Sequence, residues 1–117
     1  MNSFENLEVW KQSVSLCAEL YRYFRSSREY GFKDQITRAA LSIPSNIAEG
    51  CEHASTNEKL RFLSYAKASA GELQTQLKVG ELAGFIDPEK ADVWNQQARK
   101  FSAMIVGLKK SIQQNAL

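Results

Sequence analysis

Ala91, Trp94, Ala98, Phe101, Ile105, Leu108 and Ile112 recur at alternating spacings of three and four residues, and this pattern restricts the fold more sharply than any other in the chain. It keeps every apolar side chain on one face of an α-helix, so it predicts a helix of about seven turns with one buried seam. Such a helix is stable only when that seam packs on other elements. Leu7, Trp10, Val14, Cys17, Tyr21 and Phe24 predict a first helix of about six turns in the same way, with Val9, Leu16, Leu20 and Tyr23 as a second, flanking strip. That is more apolar surface than one neighbour would cover. Leu60, Leu63, Ala66, Ala70, Leu73 and Leu77 predict a third helix, and the small residues from Ala66 to Gly71 would admit a close neighbour.

Punctuation supports the same division. Ser26, Ser27 and the pair Tyr30-Gly31 separate the first helix from a second that opens at Phe32 or Lys33. Ser55 and Glu58 have capping-box spacing, and Asp87-Pro88 reads as an N-cap followed by proline at the first helical position, where the missing donor costs nothing. Gly80 to Ile86 reads as a frayed end with a turn at Gly84. Four helices with short connections predict an all-α fold, an antiparallel up-down-up-down four-helix bundle in one domain spanning residues 1–117.

The locally unexpected stretch is Arg38 to Gly50, where Ile36, Ala39, Ala40, Ile43 and Ile47 keep helical spacing straight through Pro44. Proline cannot donate to the carbonyl of Ala40, at a cost of roughly 3 kcal/mol in a helix interior. Ser42, Ser45 and Asn46 are placed to bond the freed groups, and Gly50 offers a left-handed stop. The expectation is a second helix kinked at Pro44 that ends at Gly50.

Composition narrows the function by exclusion. Fifteen basic and thirteen acidic residues leave a net charge of +2, which by itself argues neither for a nucleic-acid binder nor for an acidic tail. Cys17 and Cys51 are far apart and Met1 to Trp10 lacks the basic-then-apolar order of a signal peptide, so reduced thiols and a cytoplasmic protein are expected. No apolar run approaches the ~20 residues that cross a bilayer. His53 is the only histidine, which excludes a paired Glu-x-x-His di-metal site, and Cys51 with His53 lacks a third ligand at zinc spacing. With no phosphate-binding glycine loop and no nucleophile beside a base, we expect no enzyme, no cofactor, no metal and no small-molecule substrate.

Two sets of residues remain. Glu49 and Glu72 are the carboxylates of the distinctive motifs, and the simplest reading sets them in a polar layer with Arg38, Ser69 and Asn46. Arg22, Arg25, Arg28 and Lys33 cluster around the first turn, while Arg99, Lys100, Lys109 and Lys110 follow the last acid, Asp92. The macrodipole favours basic residues near helix C-termini whether or not a ligand binds. Repeated around an oligomer, the same patches would add as phosphate contacts. Trp10, Tyr21, Tyr23 and Trp94 fall on apolar seams and read as core rather than as stacking platforms.

Arg38-Ala-Ala-Leu-Ser-Ile-Pro-Ser-Asn-Ile-Ala-Glu-Gly, Arg61-Phe62-Leu63-Ser64-Tyr65-Ala66, Ser69-Ala70-Gly71-Glu72-Leu73 and Gln76-Leu77 together resemble the four-helix-bundle proteins encoded in intervening sequences of 23S ribosomal RNA genes. Asn6-Leu7-Glu8-Val9-Trp10 and Gly84-Phe85-Ile86 agree, so the resemblance covers nearly the whole chain. Accessory variability proteins of diversity-generating retroelements share the bundle. The resemblance implies a small bundle without known catalytic activity that forms a ring, typically a homopentamer. The retroelement accessory proteins are strongly basic and many relatives place an arginine after the Glu-Gly, whereas Cys51, Glu52 and His53 follow here, which weighs against direct nucleic-acid binding by this chain.

The expected function is therefore a non-enzymatic, ring-forming assembly module whose partner is a protein or a structured RNA. Its motif residues Arg38, Ile43, Pro44, Ser45, Asn46, Ile47, Glu49, Gly50 and Glu72 are the candidates for structure or assembly. The alternative is an RNA- or DNA-binding accessory factor acting through the eight basic residues named above.

Overall fold

The computed structural model describes residues 3–115. A single 3-10 turn, Phe4–Asn6, precedes four helices: α1 Glu8–Tyr23, α2 Tyr30–Glu52, α3 Thr56–Leu82 and α4 Pro88–Asn115. No strand occurs among the described residues. Residue pairs across the interfaces fix the direction of each neighbour. Ser42 meets Ser69 and Cys51 meets Lys59, while Gln74 meets Asn95 and Ser64 meets Lys109, so one number falls as the other rises. Each helix runs antiparallel to the next, as the short connections require. α2 and α3 share the most extensive interface, α3 and α4 the next, and α1 leans chiefly on α2 with a slighter contact to α4. The result is an elongated bundle of 49 × 20 × 19 Å.

Local chemistry explains the boundaries. The Ser55 side chain accepts from the Glu58 amide at 3.4 Å and the Asp87 carboxylate accepts from the Lys90 amide at 3.2 Å, so α3 and α4 begin at the expected caps. α3 ends where the amides of Phe85 and Ile86 both donate to the Gly80 carbonyl, a turn completed by Gly84 at φ +80°, the left-handed region glycine tolerates. Gly80 itself stays helical and buried, so the end is not frayed from that point.

Three expectations need correction. α2 starts earlier and ends later than its punctuation suggested: it runs through Gly31, Pro44 and Gly50, and Gly50 is an interior contact rather than a left-handed stop. A methyl group on Gly50 would sit 3.1 Å from the Lys59 carbonyl oxygen and 3.3 Å from Phe62 Cβ, so it is this glycine that lets α2 and α3 close together. Gly71 has nothing near it and Ala68 is exposed, so close approach on the small-residue run falls to Ala66, Ala70 and Ser69, whose hydroxyl meets Ser42 of α2.

α1 differs most. At 16 residues it has about four and a half turns rather than six. Its buried face is Val9, Ser13, Leu16, Cys17, Leu20, and beyond its last turn Phe24, while Val14 and Tyr21 of the anticipated seam remain exposed. Ser13 tolerates burial because its hydroxyl donates to the Trp10 carbonyl at 3.1 Å. The remaining core is continuous, from Ile36, Ile43 and Ile47 through Leu63, Leu73 and Leu77 to Trp94, Phe101 and Ile105. Tyr23, Phe24, Phe32, Phe85 and Trp94 seal one end as a chain of edge-on ring contacts.

Candidate functional site

The motif on α2 divides by exposure. Ile43, Pro44, Ile47 and Gly50 are buried inside the chain, whereas Arg38, Ser45 and Glu49 are exposed, as is Glu72 on α3. A polar seam does cross from α2 to α3: Asn46 Nδ2 donates to the Ser42 carbonyl at 2.9 Å and to Ser42 Oγ at 2.8 Å, and Ser69 Oγ donates to Ser42 Oγ at 2.8 Å. Ser42 and Asn46 thus bond one another beside Pro44, but the carbonyl they reach is that of Ser42 and not the Ala40 carbonyl that the proline leaves without its donor, and Ser45 is exposed, which corrects the expected role of the three side chains. The glutamates do not join this seam. Glu72 accepts from Gln76 at 3.3 Å, Glu49 lies 3.5 Å from His53 Nε2, and Arg38 donates to Asp34 at 3.0 Å. Each pairing stays on one helix or its last turn, as expected of solvated side chains.

At the far end of α2 the sequence reading missed a small aromatic and cationic cluster. The His53 ring stacks on Phe62 at 4.9 Å, Phe62 meets Tyr65 edge-on, and the Arg61 guanidinium lies over both phenyl rings at 5.3 and 5.9 Å. A 2.6 Å hydrogen bond from Arg61 to Glu58, together with the charge of that carboxylate, holds the guanidinium above the usual arginine range. The spacing Arg61-Phe62-x-x-Tyr65 is the only signal of the cluster in the sequence.

The eight basic residues are split. Arg22, Arg25, Arg28 and Lys33 gather where α1 turns into α2, and Lys33 Nζ donates to the Arg25 carbonyl at 3.2 Å. Lys109 and Lys110 lie about 30 Å along α4 from Pro88, near the opposite end, and Lys109 Nζ donates to Ser64 Oγ at 2.7 Å. Arg99 lies between them in a groove of about 460 Å³ shared by α3 and α4, where Lys78, Glu81 and Asp92 mix the charges. Lys100 is exposed.

Tyr21 corrects the reading of aromatics as core. It is 46% exposed, and together with Tyr30, 69% exposed, it lines a second groove of about 440 Å³ with Lys33, Asp34 and Thr37. A third recess, about 320 Å³, lies between the N-terminal turn and α4, lined by Phe4, Leu7, Cys51, Lys59, Leu108 and Ile112. Burial pushes both thiols above their ordinary pKa; at Cys51 the Lys59 ammonium opposes this in part. Both cysteines are free, and among the described residues no group of three His, Cys, Asp or Glu side chains is placed to hold a metal ion. No helix among them is long and apolar enough to cross a membrane.

The four antiparallel helices are the bundle that the resemblance implied. The sequence profile described as 23S rRNA-intervening sequence protein matches residues 5–107. The chain belongs to that family. As a 23S rRNA-intervening sequence protein it also shares its fold with a solved crystal structure, a protein of unknown function from the S23 ribosomal protein family of Bacteroides thetaiotaomicron. The two superpose with a TM-score of 0.81 at 21% identity, over 87% of this chain and 98% of the other. At that identity the likeness is one of fold alone. No curated protein matches the chain.

Proposed function

We propose that this 23S rRNA-intervening sequence protein is a non-enzymatic assembly module that closes into a ring of identical chains, five in number as the resemblance implies, and presents that ring to a protein or structured RNA. The apolar surplus of α1 and α2 carries the proposal. Val14 and Leu41 are exposed, and the register set by Phe24 against Phe32 brings them level on neighbouring helices. Val79 and Leu82 form a separate exposed patch near the end of α3, Leu82 at 76%. A ring needs two different patches on each chain, since its contacts are head-to-tail.

The exposed motif residues Arg38, Ser45, Glu49 and Glu72 would rim such a contact, as charged side chains do around apolar interface centres. Likeness to the retroelement accessory proteins is part of the same proposal. The test is Leu41→Glu, read by light scattering and circular dichroism. The module account expects helicity to persist while the assembled mass falls to that of one chain. An unaltered assembled mass would remove Leu41 and its strip from the contact.

A second reading, a nucleic-acid-binding accessory factor, is supported by the unpaired arginines of the α1–α2 turn. Among the described residues Arg22, Arg25 and Arg28 have no carboxylate within 4.0 Å, whereas Arg38 and Arg61 each do. Binding by this route would weaken steeply between low and moderate salt.

A further inference from the structure

We propose that the corner where α1 turns into α2 is a binding site for single-stranded nucleic acid, with unstacked bases on the rings of Tyr21 and Tyr30 and the phosphate backbone over Arg22, Arg25 and Arg28. The inference rests on the second reading above and adds to it the strandedness of the ligand and the groups that select it. It begins from what Tyr21 and Tyr30 do not do. The other aromatic residues at this end interlock, Tyr23 with Phe24 and Trp94, and Phe32 with Phe24 and Phe85. Among the described residues Tyr21 and Tyr30 meet no other ring, and both present their sides to one groove of about 440 Å³. A tyrosine 69% exposed gives the bundle little packing energy, while its open face suits a planar base.

Charge surrounds the two rings. Residues 21–38 hold five basic and two acidic side chains, an excess larger than the net +2 of the whole chain. One of the two acids, Asp34, is already bound by Arg38 at 3.0 Å. Lys33 is tied to the Arg25 carbonyl, which fixes the turn while leaving its charge at the groove. Beside the basic stretch on α4, Tyr65 follows the Ser64 that Lys109 bonds and is as exposed as Tyr21, but its ring is already engaged by Phe62 and by the Arg61 guanidinium, so no free pair of rings stands there. Bases in a duplex have both faces covered by their neighbours, whereas those of a single strand can be splayed onto a ring. Tyrosine beside unpaired arginine therefore selects single strands.

Fluorescence anisotropy of labelled twelve-residue oligo-U, oligo-dT and a duplex of equal length, titrated with the full chain at two salt concentrations, tests this. Single strands are expected to bind more tightly than the duplex. Tyr21→Ala with Tyr30→Ala should weaken single-strand binding by about tenfold or more, and the paired Phe substitutions should restore it, because the ring and not the hydroxyl stacks. Replacing Arg22, Arg25 and Arg28 by Gln should lower the salt slope by about two, at about 0.7 per phosphate. All five side chains are exposed, and circular dichroism confirms that each variant is folded. Alanine variants that bind like the parent, or a duplex bound as well as a single strand, would overturn the stacking site while leaving phosphate binding in place. Absence of binding by the parent chain at low salt would overturn both. Displacement by polyglutamate as effective as by unlabelled oligonucleotide would assign the corner to an acidic peptide and overturn the proposal.

Discussion

A methyl group added at Gly80 would lie 2.5 Å from Ile86 Cδ1 and 2.7 Å from Phe32 Cζ, so the end of α3 closes on its turn only because this residue has no side chain. Overpacking of this kind costs about 1–3 kcal/mol, against a gain in helix propensity of at most about 1 kcal/mol. Gly80→Ala is therefore expected to lower the Tm by several degrees in a thermal melt. Gly71 and Gly107 are helical, exposed and have open space around them, so Ala at either should raise stability by about 0.5–1 kcal/mol. An equal response at all three positions would contradict this account of the packing. Glu72 is exposed and bonded only along its own helix, so Glu72→Ala should change stability by less than about 0.5 kcal/mol. Sequence alone points to Gly50 and Gly80 as stops because glycine marks helix ends more often than helix crossings; what decides between the two is the neighbour, and that is a long-range fact.

At the scale of elements, capping chemistry and periodicity made α3 and α4 legible almost to the residue. Ser55, Asp87 and Pro88 announce their starts through local hydrogen bonds that need no tertiary partner. Asp87→Ala should cost α4 about 1 kcal/mol, measured by chemical denaturation; no change in the midpoint would show the cap to be idle. α1 was harder to read because it offers two apolar strips, and spacing cannot say which one faces the core. The chosen strip includes Ser13, whose polarity hides it until the bond to the Trp10 carbonyl is seen. Of the strip left outside, Val14 belongs with the proposed contact between chains and Tyr21 with the proposed nucleic-acid corner. The basic turn was visible in the sequence, but the pairing of its arginines with two open tyrosines depends on where α2 begins, one residue before Gly31.

For the whole molecule, the bundle keeps two neutral thiols partly out of water. Burial raises their pKa, so as pH climbs past the ordinary thiol value the unfolded chain ionises first and stability falls; below that value the contribution is fully present. Denaturation midpoints should therefore decline in alkaline solution, and less so in a Cys17→Ser, Cys51→Ser variant compared with its own neutral value. A matching decline in both proteins would remove the thiols as its cause. Assembly is the larger claim at this scale, since α1 contacts α4 only slightly and leaves an apolar strip and a second patch uncovered. The most direct test is the mass of the unmodified chain by multi-angle light scattering at two salt concentrations. The account predicts five chains at both, because apolar contacts are little affected by salt; a single chain of 13.2 kDa under both conditions would contradict the ring.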